Sequence, residues 1–256
     1  MRSDVRSTPR LLAPAILALV IVLAAEFLCW ILAIPKYIFP RPSLVVASLI
    51  SHGPDIWAAS LITFSEATLG FLIANLVAFL ISFVFSFSPL AYRSGYPLFV
   101  AFQSIPLIAL APFIAIWFGT ELVSKVMMAV LLCVFPATII ATNALRSTNV
   151  LYTDYLSSLA GGRMRQVFLV ILPSSLPALM AALHVTAPLS VIGALVAEFA
   201  GADRGLGFMI LSASYTFNVA LMLACVVVAT LFALTMYFFV SILDSKVRDQ
   251  FGIRTY

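Results

Sequence analysis

Four stretches without a single Asp, Glu, Lys or Arg decide what this chain can fold into: residues 94–120, 126–145, 166–197 and 205–243. Each reaches the roughly 20 residues needed to cross about 30 Å of hydrocarbon. Backbone groups in hydrocarbon have no water to bond, so each stretch must close its own hydrogen bonds as a helix. Two further spans emerge when one acid is allowed in each: residues 11–35 with Glu26, and 56–90 with Glu66. The expectation is an all-α polytopic membrane protein. Six transmembrane helices occupy residues 11–243, between tails at 1–10 and 244–256. Composition agrees, with 63% hydrophobic and 9% charged residues against about 45–50% and 25% in a soluble domain.

The N-terminus carries Arg2, Arg6 and Arg10 ahead of its apolar run, as a secretory signal does. Here the run continues past Ala24 and Ala25 to Ile34, and Leu23 is a poor residue before a cleavage site, so an uncleaved span is expected. Six spans put both termini on one side. Ten of the fourteen basic residues then fall on that side, leaving Lys36, Arg41, Lys125 and Arg204 opposite. The positive-inside rule makes the richer side cytoplasmic. The net charge of +4 follows from this bias, and no basic stripe with interleaved aromatics points to nucleic acid. Cys29, Cys133 and Cys225 lie in separate apolar runs without CxxC or Cys/His spacing, which reads as core packing, not disulfide or metal chemistry.

Short connections leave no room for a soluble domain. There is no GxxxxGK[ST] phosphate loop, since Gly161 and Gly162 lead into Arg163, Met164 and Arg165. The chain therefore cannot hydrolyse a nucleotide itself, and its energy comes from a partner or an ion gradient. The lack of HExxH, GxSxG or paired acids at ligand spacing counts against an intramembrane enzyme. An ion-coupled secondary transporter, with Glu26, Glu66 and His184 as proton-relay groups, is the alternative; inverted repeats that would support it are not evident.

Proline gathers in two spans. Pro97, Pro106 and Pro112 are expected to interrupt the third, and Pro173, Pro177 and Pro188 the fifth. Each removes a backbone donor, which hydrocarbon tolerates only beside other helices or a watery cavity. Gln103 and Ser104, just before Pro106, are candidates for the pathway. So are the ionisable groups in or bordering the spans, because burying them is costly. Glu66 reads either as a hydrogen-bonded packing residue or as a gate. His184 reads as a satisfied core histidine or a ligand contact, and Glu198 as a structural or gating residue near the outer mouth. No lysine or arginine is expected among these groups, which favours a neutral or cationic ligand over an anion.

The longest cytoplasmic connection, residues 147–165, pauses the oily sequence with "LYTDYLSSLAGGRMR". Leu151, Tyr155 and Leu159 recur at helical spacing with Leu156 alongside, an apolar stripe on a helix too short to cross. Asp154 near its start and Gly161 and Gly162 at its end suit the helix dipole and C-cap. Periodicity alone fits two arrangements: a helix lying on the headgroups, or one docked in a groove of a cytoplasmic partner.

This segment resembles the EAA loop of type I ABC importer permeases, counted back from Leu172 and Pro173: Asp154 falls on the Glu, Tyr155 and Leu156 on the alanines, and Ala160 on the glycine. "QSIPLIALAPFIAIWFG" (103–119), Phe135 with Pro136, "AEFAGADRGLGFMI" (197–210) and "YIFPRPSLV" (37–45) resemble further segments of that family in the same order. The resemblance covers nearly the whole chain and is closest to the nitrate, sulfonate, taurine, bicarbonate and pyrimidine- or vitamin-precursor branch. It implies a bacterial inner-membrane permease, two copies forming the pathway. Two ATPase subunits that use ATP and Mg would bind beneath, and an extracytoplasmic binding protein would deliver the solute; the permease itself would bind no cofactor. Asp154, Tyr155, Leu156, Leu159, Ala160, Gly161, Gly162 and Arg163 would form the ATPase-coupling segment. Ala160 and the bulky Tyr155 and Leu156 depart from the motif and imply an ATPase with a wider groove. "TFSEATLGF" resembles a segment in which the family carries arginine at Glu66, a reversal of charge.

Overall fold

The computed structural model describes residues 9–148, 158 and 162–251. Among them the regular structure is helical: α1 Pro9–Ile31, α2 Pro42–Ser51, α3 Gly53–Phe87, α4 Pro89–Gln103, α5 Ala111–Phe118, α6 Leu122–Arg146, a single turn α7 Arg163–Gln166, α8 Leu172–Phe199, α9 Leu206–Tyr215 and α10 Val219–Phe251. A 3₁₀ turn, Leu107–Leu110, precedes α5, and a π turn, Val167–Ile171, precedes α8.

Two compact units are present: Met1–Trp57 with Met209–Val227, and Ala58–Phe208 with Val228–Tyr256. In the first, Glu26 of α1 accepts hydrogen bonds from the Ser43 backbone N–H at 2.9 Å and its hydroxyl at 2.8 Å. Ser43 lies in the first turn of α2, whose orphan N–H groups and positive dipole end favour a carboxylate. Pro42 opens that helix, where a missing N–H costs nothing. Glu26 thus has a local structural partner.

In the second unit α6 is the hub, with more than half of its apolar window buried (56%) against 28% for α3 and 22% for α10. Lipid tails are as apolar as the side chains, so helices in a bilayer associate by close contact between small residues. Gly70 of α3 and Gly193 of α8 both lie against Ala129 of α6. A Cβ on Gly193 would sit 2.5 Å from the Ala129 Cα, and one on Gly70 would overlap the Ala129 methyl. Ala67, Ala187, Val191, Ala194, Met236 and Val240 extend the packing to α10. Cys133 fits into α6 as a core residue beside Ala74, Val126 and Val130; Cys29 and Cys225 are likewise buried and free.

The proline expectation holds in the third span at Pro106. It fails there for Pro97, which lies inside an unbroken α4, and for Pro112, which stands in the first turn of α5, and it fails for the fifth span. Ser88 caps α4 by accepting the Ala91 N–H at 3.2 Å, Pro89 opens it, and the helix stops at Gln103 ahead of Pro106. The axes of α4 and the following Leu107–Phe118 segment then differ by 85°. α8, by contrast, runs through Pro177 and Pro188 without a break. Its irregularity is the preceding π turn, and Pro173 stands in the first turn of α8, where no intrahelical N–H is needed. By length and composition four described helical segments can cross a membrane, five if the bent pair is one span; Ile16–Ile31 is shorter.

Candidate functional site

Three helices of the larger unit bring charge into the interior. Glu66 of α3, Lys125 of α6 and Glu198 of α8 are each at least 95% buried. Lys125 Nζ lies 3.6 Å from Glu66 Oε1. Glu198 Oε1 accepts from the Thr63 hydroxyl at 2.6 Å, and Glu198 Oε2 accepts from the Gly207 backbone N–H. Thr63 Oγ1 in turn accepts the Leu206 N–H at 2.8 Å. The cluster therefore ties α3, α6, α8 and the first turn of α9 by polar contacts at one end of the unit.

The sequence "GADRGLG" is built around that carboxyl group. Gly205 has φ +107°, open to glycine and strained for other residues, and a Cβ there would overlap the Glu198 carboxyl. A Cβ on Gly207 would lie 2.8 Å from both Glu198 Cβ and the Leu195 carbonyl. Both glycines let the backbone approach Glu198 closely enough to donate to it.

Lys125 corrects the expectation of membrane segments without a cation. Charge counting placed it on the outer face with Lys36, Arg41 and Arg204, yet it sits in the first turn of α6 with 4% exposure. An isolated lysine between two apolar runs was the available signal; its acidic partners lie 59 and 73 positions away in sequence, numbered 66 and 198. Thr63, Leu206 and Gly207 carry little sequence signal, because two of them contribute only backbone.

The other candidates are dispersed. Gln103 and Ser104 are exposed at the 85° break. His184 bonds through Nδ1 to the Met180 carbonyl at 2.9 Å and meets the Tyr237 ring edge-on at 4.9 Å, the geometry of a packed histidine. Asp154, Tyr155, Leu156, Leu159, Ala160 and Gly161 lie outside the described residues. Gly162 is exposed, and its carbonyl accepts the Arg165 N–H at 2.9 Å; Arg163 begins α7.

Where α6 ends, immediately before residue 147, Arg146 stacks over Tyr92 of α4 with Cζ 3.7 Å from the ring centroid. Arg146 Nη1 also donates to the Phe85 carbonyl at 3.4 Å, and Tyr96 Oη donates to Asn143 Oδ1 at 3.1 Å. The base of α4 is thus fastened to the last turn of α6.

Residues 67–249, most of the chain, match the family described as binding-protein-dependent transport system inner membrane component. The chain belongs to this family. The permease is 31% identical over 229 residues to a probable ABC transporter permease protein of Haemophilus influenzae, covering 90% of this chain and 94% of that one. It is 34% identical over 173 residues to the formylaminopyrimidine transport permease protein of Halalkalibacterium halodurans, covering 67% and 69%. Among solved structures, an inward-facing methionine ABC transporter, MetNI, shares the fold at a TM-score of 0.60 and 22% identity, over 76% of this chain and 94% of that one. The permease is a non-catalytic membrane subunit of an ABC importer: it forms a solute pathway, and separate ATPase subunits hydrolyse ATP. Nothing supports the ion-coupled alternative.

Proposed function

We propose that the permease imports a neutral nitrogen heterocycle of the pyrimidine or flavin type, as a homodimer with six spans per chain, both termini cytoplasmic and two ATPases beneath. α1 supplies the sixth span. The observation that carries the ligand class is the ranking of its relatives. Those named for formylaminopyrimidine and riboflavin transport are 34% and 30% identical, and those named for aliphatic sulfonates or taurine are 24–27% identical. Electrostatics supports the same class: the buried charged side chains are Glu66, Lys125 and Glu198, in which the one cation already faces an acid. That leaves no buried positive charge among the described residues to offset the desolvation of an anion.

Proteoliposomes containing the permease, its ATPase and its binding protein are expected to accumulate a formylaminopyrimidine or riboflavin, with ethanesulfonate and taurine uptake at background. Sulfonate uptake at comparable rates would overturn the ligand class. The mass of the intact complex checks the stoichiometry, and one permease chain per complex contradicts the dimer.

Residues 147–165 act as the coupling segment in this reading, with Asp154, Tyr155, Leu156, Leu159, Ala160, Gly161, Gly162 and Arg163 against the ATPase. The break beside Gln103 and Ser104 borders the pathway, and Glu66, His184 and Glu198 hold the bundle around it. The Arg146–Tyr92 stack then links the coupling segment to α4 and the break beyond it. Arg146 is exposed, and a cation–π contact at an exposed site contributes about 0.5–1 kcal/mol. Tyr92→Leu is therefore expected to lower solute transported per ATP hydrolysed by roughly threefold, about 0.7 kcal/mol, while complex yield is kept and Tyr92→Phe remains coupled. Parallel uptake and phosphate-release assays measure this ratio, and an unchanged ratio in Tyr92→Leu removes the link.

A further inference from the structure

The buried cluster is one charge out of balance. Glu66 and Glu198 together carry two negative charges when ionised, and Lys125 supplies one positive. Glu198 bonds to Thr63, which stands one helical turn before Glu66 on α3, so the two carboxyl groups are neighbours. As carboxylates both are acceptors only, so neither can bond to the other. Glu66 Oε2 is moreover fully buried with no hydrogen-bond partner. Two adjacent carboxylates out of water cannot both ionise without a second compensating charge.

We propose that Glu66, Lys125 and Glu198 form a binding site for one proton, held between the two carboxyl groups. The proton makes one acid a donor, supplies the bond that two ionised groups lack, and brings the cluster to neutrality. Other cations fit poorly. The Glu198 oxygens already face the Thr63 O–H and the Gly207 N–H, whose hydrogens repel a metal ion, and the backbone at Gly205 and Gly207 fills the space around that carboxyl group. Thr63 from α3, Lys125 from α6 and the Leu206 and Gly207 N–H groups complete the surroundings. Nearby charges lie at the surface: Asp203 pairs with Arg204 at 3.3 Å, and Glu121 contributes to the field at Arg204. The Arg204 guanidinium holds the Asp203 carboxyl below its ordinary range, so that group stays ionised. The proton belongs to the cluster and not to one residue. Any step that draws the Gly207 N–H off the Glu198 carboxyl group and the Leu206 N–H off Thr63 opens the site to water and to proton exchange.

Infrared spectroscopy of the purified permease–ATPase complex in lipid at neutral pH tests this through the carbonyl stretch of a protonated carboxyl group, identified by its shift in heavy water and on carbon-13 labelling of glutamate. The band is expected in the wild type. It is expected to vanish in Glu66→Gln and equally in Glu198→Gln, because either remaining acid is then neutralised by Lys125, and to persist in Lys125→Met. Absence of a glutamate band from the wild type overturns the proposal, as does its survival in Glu66→Gln or its loss in Lys125→Met. Absence of the band from the wild type decides against the proposal without any variant, and Glu66→Gln and Glu198→Gln each assign the band independently, so one substitution that fails to fold leaves the test intact.

Discussion

Ala129→Leu is expected to abolish recovery of folded permease. Inserting extra methylenes in a packed core costs about 1–3 kcal/mol where neighbours can move aside. Here two helices press on the same methyl, through Gly70 on one side and Gly193 on the other, and the nearest atoms include backbone. A leucine cannot be housed by a rotamer change; α3 or α8 would have to separate from α6. The expected cost exceeds that range and equals a large share of the roughly 5–15 kcal/mol by which proteins are stable. Ala129→Gly is the control, adding no atoms and costing about 1 kcal/mol of helix propensity. The monodisperse fraction on size-exclusion chromatography in mild detergent reads the outcome, and a Leu variant recovered like the wild type contradicts the close approach of these helices.

Glu198→Leu is the second large effect. It strips the acceptor from the buried Gly207 N–H, whereas the Thr63 hydroxyl still reaches the Ala59 carbonyl at 3.3 Å. A buried donor left unmade costs about 1–3 kcal/mol. The branched side chain would also press on the Gly205 and Gly207 backbone, where the carboxyl group is already in tight contact. Lys125 keeps Glu66 as its partner, so the loss arises from the orphaned Gly207 N–H and from crowding. A total of about 3 kcal/mol or more is expected. Glu198→Gln retains a carbonyl acceptor and should lose less than half of that. Thermal unfolding followed by ligand-free nanoscale fluorimetry compares the two, and equal midpoints for Leu and Gln would show that the Gly207 and Thr63 contacts contribute little.

Hydrophobic run length made the helical class legible, and the motif around residues 197–210 marked the stretch that folds against Glu198. The clustering of proline before residue 107 marked a real break, because Pro106 falls where α4 had already reached Gln103. The same reasoning misjudged α8. A π turn and a first-turn position absorb Pro173, and a proline count contains neither fact. Lys125 was misread for a different reason: a charge tally treats every basic residue as a loop residue, whereas this one enters a helix beside Glu66 from a distant span. Contacts made by backbone, such as the Gly207 N–H on Glu198, leave only the faint trace of a glycine at the right place. The docking stripe of residues 151–159 stays an expectation of the sequence, as it lies almost wholly outside the described residues.

The 85° break also bears on how the chain enters the membrane. The 15 residues of α4 measure about 22 Å and the 8 of α5 about 12 Å. Neither half spans about 30 Å of hydrocarbon alone. Both halves pack against α6, which is synthesised after them. Stable integration of this region therefore has to wait until α6 leaves the ribosome, so the insertion machinery must shelter α4 and α5 as an unfinished pair. Nascent chains stalled before residue 146 should leave them extractable by alkali, whereas chains stalled far enough beyond it for α6 to emerge should hold them firmly.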